Sequence, residues 1–249
     1  MRILLLNPNT SDAVTALVTD RVAAMAGGTA TFVPATARFG AAYIASRAAL
    51  AIAGHAALDA FAEHGHGCDA VLLACFGDPG LLALREIAPV PVVGMLEAAC
   101  RAAQPVASRY AIVTGGALWK PMLAEAVAGL GLGDGLASIR TIERTGGEIA
   151  KDPEAALPDL AAACRACVDH DQAEAIILGG AALVGLASLL QPQVSVPILC
   201  SVETGVHAVV AAARAPYRRP PAVALETVGL GNALAALLMP RGAAGGEIE

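Results

Sequence analysis

A thiol at the end of an apolar run is the group in this chain best placed to do chemistry. Cys75 closes Leu72–Leu73–Ala74 and opens Phe76–Gly77–Asp78–Pro79–Gly80. A cysteine there can act as a nucleophile or as an acid/base; the plain alternative is a packing residue, since free cysteine sits readily in apolar surroundings. The following turn reads as a helix start, with Asp78 as N-cap and Pro79 as first helical residue. The thiol is therefore expected to feel the positive end of a helix dipole, which favours thiolate near neutral pH. A second polar turn, Asn7–Pro8–Asn9–Thr10–Ser11, follows the first apolar run. Asn7 can project its amide, while Thr10 or Ser11 can cap a helix whose free N–H groups face an anion. Thr114–Gly115–Gly116 and Gly179–Gly180–Ala181 end two further runs. Each alone reads as a tight turn; with Asn7 and Cys75 they describe a small anion pocket lined by amides and hydroxyls.

The chain carries a second copy of the cysteine stretch in which the cysteine is missing. Asp69–Ala70–Val71–Leu72–Leu73–Ala74–Cys75 aligns with Glu174–Ala175–Ile176–Ile177–Leu178–Gly179–Gly180. Val90–Pro91–Val92–Val93 and Glu97 return as Val196–Pro197–Ile198–Leu199 and Glu203, and Leu4–Asn7 matches Ala111–Thr114 more faintly. The matches share an offset of 105 to 107 residues, which argues for two similar halves. A pseudo-twofold would set Cys75 and Gly180 face to face across a cleft.

The elements that must position these residues alternate along the chain. Ile3–Leu6, Thr29–Pro34, Ala70–Ala74, Val90–Val93, Tyr110–Thr114, Ile176–Gly179 and Val196–Cys200 read as short strands, apolar on both faces as in a parallel sheet. Ala13–Met25, Ala42–Glu63, Pro79–Glu86, Met95–Gln104, Lys120–Gly129, Pro153–His170 and Glu203–Ala213 read as helices. The expected fold is α/β: two pseudo-symmetric, doubly wound lobes with parallel sheets and a cleft between them. Residues 1–97 and 206–249 form the first lobe, carrying Cys75; residues 98–205 form the second, carrying Thr114 and Gly180. Gly242–Glu249 reads as a loose tail.

Composition narrows the partners. The 249 residues can bury a sizeable core. Apolar residues make up 56% and aromatics 3%, which fits alanine-rich helices packed closely on a sheet. No run reaches the roughly 18 uncharged apolar residues of a spanning helix, so no membrane partner is expected. A net charge of −6 with two lysines, Lys120 and Lys151, argues against nucleic acid. Met1–Leu6 is too short for a secretory signal, and six cysteines without one read as reduced thiols of a cytoplasmic protein. Cys164 and Cys167 form a C-x-x-C inside a helical run, where a redox pair does not belong and zinc lacks two ligands. His64 and His66 read as a helix end and a turn, so no metal site is expected. No Walker-type lysine or Rossmann fingerprint is present, and no cofactor is expected.

Asn7–Pro8–Asn9–Thr10–Ser11, Cys75–Phe76–Gly77–Asp78–Pro79–Gly80 and Val90–Pro91–Val92–Val93–Gly94 together resemble the aspartate/glutamate/hydantoin racemase family, nearest its hydantoin and allantoin branch. The resemblance runs nearly the whole chain in order. It implies two pseudo-symmetric α/β lobes, no cofactor, and racemisation by two cysteines on opposite sides of the substrate. One thiolate removes the proton α to a carbonyl and the other thiol protonates the opposite face. It also implies Asn7, Thr114 and the backbone near Gly77 and Gly180 as substrate-holding groups, with Phe76 and Ala181 beside them. The substrate would be a small molecule bearing a carboxylate or an imide/ureido group, and a homo-oligomer is expected. The departure is Gly180, which stands where the family has its second cysteine. Cys200, Glu203 or water would then have to supply the second proton, racemisation is expected to be slow, and Gly180→Cys is expected to raise it. Arylmalonate decarboxylases of the same superfamily also keep one cysteine, on the opposite lobe. The alternatives to a racemase or epimerase are thus a one-cysteine decarboxylase or cis-trans isomerase, or a non-catalytic small-acid binding protein. Phe39, Tyr43 and Trp119 are candidates for setting substrate preference.

Overall fold

Short apolar strands without alternation must be covered on both faces, and the computed structural model, which describes residues 1–219, 221 and 224–239, covers them with helices. Strands β1 (Arg2–Asn7), β2 (Thr31–Thr36), β3 (Ala70–Leu73) and β4 (Val92–Gly94) form one parallel sheet in the order β2-β1-β3-β4. Strands β5 (Tyr110–Gly115), β6 (Leu136–Ile142), β7 (Ala175–Leu178) and β8 (Ile198–Cys200) form a second in the order β6-β5-β7-β8. The two orders are the same topology repeated, as the internal similarity predicts. The tail Gly242–Glu249 lies outside the described residues.

Register decides what the sheets present. Leu6 pairs with Leu73 and Val113 with Leu178. The chain leaving each inner strand stays tied to its neighbour, Ala74 N–H donating to the Leu6 carbonyl at 2.8 Å and Gly179 N–H to the Val113 carbonyl at 2.9 Å. Residues just past the carboxyl ends of β1, β3, β5 and β7 are thereby gathered at the sheet edges where α/β proteins bind ligands.

The lobes interlock through two exchanged helices. Helix α4 (Met95–Ala103) follows β4 but packs on β7 and β8; helix α9 (Ser201–Arg214) follows β8 but packs on β3 and β4, and the two lie against each other. Gly205 lets α9 settle on the sheet, since a Cβ there would stand 3.1 Å from the Leu72 side chain. Leu96, Ala99, Cys100, Val202, Val206 and Val209 are fully or almost fully buried, so one continuous core joins both sheets. A separate cluster around Leu4, Leu6, Val71 and Leu84 fills the other face of the first sheet.

The remaining helices are α1 (Asp12–Ala26), α2 (Arg47–His64), α3 (Leu81–Ile87), α5 (Trp119–Gly129), α6 (Gly146–Lys151), α7 (Pro153–Asp171), α8 (Leu186–Leu190) and α10 (Asn232–Leu238), the last packed on α2. Two expectations need correction. The helix expected from Ala42 begins at Arg47 with Ser46 as N-cap, which frees residues 37–46 as an irregular loop. The helix expected from Pro79 begins at Leu81, and Asp78 caps a different helix: its carboxylate accepts from Leu96 N–H at 3.0 Å and Glu97 N–H at 2.8 Å, at the start of α4. Strand β6 and helices α6, α8 and α10 were not expected from the sequence; β6 is a half-exposed edge strand and the helices run five to seven residues. Cys164 and Cys167 are fully buried in α7. Among the described residues no helix is long and apolar enough to cross a membrane.

Candidate active site

Between the two sheets lies a pocket whose walls come from both halves. Cys75 and Phe76, past β3, face it with Asn9, Ser11, Tyr43 and Ile44 from the first half; Thr114, Trp119, Gly146, Gly147, Gly180, Ala181 and Leu183 face it from the second. Its volume of about 130 Å³ is small beside the roughly 300–1,000 Å³ of drug-sized pockets, which limits it to a compact ligand. Among the described residues the lining carries no lysine, arginine, aspartate, glutamate or histidine. Among the described residues, Cys75 and Tyr43 are its two titratable side chains.

Cys75 is nearly buried and free of any disulfide. Burial, and next the carboxylate of Asp78, hold its thiol well above the ordinary range. This runs against the expected thiolate: the nearest helix along the chain starts six residues later, and the Asp78 charge opposes ionisation of the sulfur. Asp78 is itself pushed up to about 7 by burial, against the two N–H groups that favour its charged form. A protonated Cys75 is the resting state at neutral pH.

Polar contacts on the first wall come from the turn after β1, though not from the residue expected. Asn7 is buried and its amide nitrogen is within hydrogen-bonding reach of Asn9 Oδ1 (2.9 Å), the Ser11 carbonyl (3.2 Å) and Thr15 Oγ1 (2.9 Å). Asn7 therefore braces the turn and does not line the pocket. Asn9 takes its place: its carbonyl oxygen also accepts from Ser11 N–H at 2.9 Å, which leaves its NH2 group for a ligand. Ser11 caps α1 through Val14 N–H, as its position predicts.

Phe76, Thr114, Gly180 and Ala181 line the pocket with Cys75. Gly77 does not; it backs the indole of Trp119, whose ring would be 2.6 Å from any Cβ there. Phe76 crosses the cleft onto Gly179, where a Cβ would stand 2.0 Å from its ring. These two aromatic-on-glycine contacts each join one half of the chain to the other. Thr114 points its hydroxyl toward Gly180, 3.6 Å from where a Cβ at that glycine would stand. Gly180 adopts φ 127°, ψ 140°, and donates its N–H to Ser201 Oγ at 3.1 Å. That conformation is nearly reserved for glycine. The 3-10 turn Ala181–Leu183 and the start of α6 add backbone N–H groups that have no acceptor within their own helices.

Neither group expected to replace the missing cysteine reaches the pocket. Cys200 is almost fully buried at the N-cap position of α9 and makes no capping hydrogen bond there. Glu203 is exposed in the first turn of that helix. Of the aromatic candidates, Phe39 lies edge-on to His55 with ring centroids 5.0 Å apart and is not part of the lining. Tyr43 and Trp119 are, and they meet: the indole N–H donates to the Tyr43 hydroxyl at 3.2 Å. The sequence signal for Asn9, Tyr43, Gly146 and Gly147 was slight, because a loop residue's direction depends on contacts with the other half.

The sequence profile of the Asp/Glu/hydantoin racemase family matches residues 3–209. A hydantoin racemase of Paenarthrobacter aurescens is 37% identical over 213 residues, 82% of this chain and 87% of that one. A hydantoin racemase of Pseudomonas sp. (strain NS671) is 37% identical over 140 residues, so the match spans 56% of that relative's length. The crystal structure of an allantoin racemase from Pseudomonas fluorescens superposes with a TM-score of 0.86 at 26% identity, covering 97% of each chain.

Proposed function

This chain belongs to the Asp/Glu/hydantoin racemase family and is an isomerase of racemase type, and on that premise we propose that it inverts the α-carbon of a small, uncharged cyclic imide or ureide, with Cys75 as the acid/base on one face. The observation that carries this reading is Cys75 itself, the thiol lining an interlobe pocket that has no formally charged side chain among the described residues. A free amino-acid carboxylate would enter without a cationic partner, whereas the imide and ureido groups of a hydantoin or of allantoin match the neutral donors on offer. Asn9 NH2, the Thr114 hydroxyl and the backbone N–H groups of Ala181 and Gly147 can hold ring carbonyls.

The chemistry follows from that binding. Hydrogen bonds to the carbonyl beside the α-carbon favour the enolate formed when the C–H bond breaks, and such donors act strongly in a water-poor cleft. Cys75 as thiolate takes the proton; as thiol it returns one. The proton is the group transferred and the electron pair rests on the substrate carbonyl, so the residues present account for this half of the reaction. Partner chemistry beyond a small molecule, assembly as a homo-oligomer and a cytoplasmic location remain part of the same proposal.

The test is optical rotation of single enantiomers of 5-substituted hydantoins and of allantoin, with wild type and Cys75→Ser. Wild type should racemise at least one from both directions, and Cys75→Ser should lose the activity. Equal rates in the two proteins would overturn the assignment of Cys75, and a preference for free amino acids would overturn the assignment of substrate class.

A further inference from the structure

We propose that Tyr43 is the second acid/base of this pocket: its phenol, seated on the wall that carries Gly180, serves the substrate face turned away from Cys75. The proposal rests on the racemase reading above and fills the place of the side chain that Gly180 lacks.

The argument is one of placement. Tyr43 belongs by sequence to the loop after β2, yet its hydroxyl lies against the second half. A Cβ on Gly116 would stand 2.6 Å from the phenol oxygen, and one on Gly146 would stand 3.4 Å from the ring. The same hypothetical Cβ of Gly146 lies 3.6 Å from Ala182, two residues beyond Gly180. The loop is pinned there at its far end too, where Arg47 forms a two-point ion pair with Glu125 of α5. Tyr43 thus reaches over the cleft and offers a group to its opposite wall.

Its hydrogen bonds leave it one thing to give. The phenol oxygen accepts from the Trp119 indole N–H at 3.2 Å. Its own O–H remains to be donated, and Tyr43 lines the cavity. The same indole N–H would hold the phenolate once the proton has gone. The hydroxyl is close enough to Cys75 for a charge on that sulfur to be felt. The alternatives lie elsewhere, Cys200 behind the start of α9 and Glu203 in solvent.

In the forward direction Cys75 first gives its proton to water; the Cα–H bond then breaks and the S–H bond of the thiolate forms, the electron pair passing into the substrate carbonyl. The enolate then takes the Tyr43 proton on its other face: the O–H bond breaks, the Cα–H bond forms, and a phenolate remains. The reverse turnover, or proton exchange with water, restores the starting pair.

Each enantiomer of a hydantoin or allantoin is incubated in D2O with wild type, Tyr43→Phe and Cys75→Ala, and optical rotation and deuterium at Cα are followed above the uncatalysed rate. Tyr43→Phe should lower racemisation by about 10²–10⁴-fold, yet still exchange the α-proton of one enantiomer with retention, since Cys75 still serves its face. Cys75→Ala should exchange the other enantiomer alone. Racemisation by Tyr43→Phe at an undiminished rate overturns the proposal, as does equal loss of exchange from both enantiomers, which would make Tyr43 a mere prop for Trp119. Should Tyr43→Phe fail to fold, the Cys75→Ala arm decides alone: exchange confined to one enantiomer supports the proposal, and no exchange of either overturns it. A wild type that neither racemises nor exchanges any of these compounds defeats the functional reading itself, and this proposal with it. Wild-type racemisation that Tyr43→Phe retains defeats only Tyr43.

Discussion

The ends of β3 and β7 occupy equivalent places in two sheets of identical order, and they do opposite things. After β3 the chain presents a thiol and then sends Asp78 away to cap α4. After β7 it presents a bare glycine whose φ of 127° suits no other residue well. The helix ends tell the same story in reverse. Gly94, at the end of β4, leaves a space that the Asp78 carboxylate fills, 2.3 Å from where a Cβ would be. Cys200, at the end of β8, carries a side chain of its own in the corresponding place but makes no capping hydrogen bond to α9. One helix start is capped by a side chain borrowed from the neighbouring loop, and the other has no cap from its own N-cap side chain. Duplication preserved the frame, and the two frames were then furnished differently. A reactive group can therefore vanish from one strand end without the fold losing its symmetry.

This contrast can be broken in several places, and the largest effect should come from pH. Burial and Asp78 both raise the Cys75 thiol above its ordinary value, so the fraction present as thiolate falls as pH drops below that raised value. The enzyme-dependent kcat/KM should accordingly climb by about tenfold per pH unit between pH 7 and 9. A plateau already reached at pH 7 would mean that the first wall holds a thiolate after all.

Stability should separate the two strand ends next. Gly180→Ala forces a side chain into a backbone conformation nearly reserved for glycine, 3.2 Å from Leu183, and should cost about 1–3 kcal/mol in denaturant unfolding. The same strain applies to Gly180→Cys, so the expectation that this change would simply restore a second acid gives way to one of a destabilised variant. Unchanged unfolding midpoints would show that the glycine is a vacancy and not a constraint.

Asp78→Asn probes the borrowed cap. An amide has one oxygen where the carboxylate uses two, so the start of α4 should lose about 0.5–2 kcal/mol. Removing the charge also removes one cause of the raised thiol, which should move the alkaline rise in kcat/KM to lower pH. Stability lost with no movement of that rise would leave Asp78 a purely structural residue. The smallest effect belongs to Thr114→Val, which deletes one neutral donor from the second wall and should weaken substrate binding by about 0.5–1.5 kcal/mol, read as a higher KM with kcat little altered. A fall in kcat alone would move Thr114 from holding the substrate to handling its proton.

Much of this frame was legible before any coordinates. The paired stretches around Cys75 and Gly180 foretold two matching sheets, because apolar strands and their parallel register leave little freedom. They also foretold that the two residues share a pocket, since strand ends are where the topology gathers them. What failed were residues whose direction is set by the other half of the molecule. Asp78–Pro79–Gly80 has the local signature of a helix start, but a buried carboxylate bonds to whichever free N–H groups lie nearest, and those belonged to α4. Asn7 and Asn9 are alike in chemistry; the buried Thr15 hydroxyl draws the first inward and leaves the second to the pocket. Tyr43 was swallowed by an expected helix, for an alanine-rich stretch gives no sign that Ser46 will cap four residues later than the pattern begins.

The account stands or falls on Cys75 being the reacting thiol of the interlobe pocket. Iodoacetamide at pH 9, with the modified residue identified by mass mapping, tests this most directly. Racemisation should disappear in step with alkylation of Cys75, in whatever order Cys68, Cys100, Cys164, Cys167 and Cys200 react, and a bound hydantoin should protect both. Full activity with Cys75 alkylated, or loss of activity that follows another of the six thiols, would contradict it.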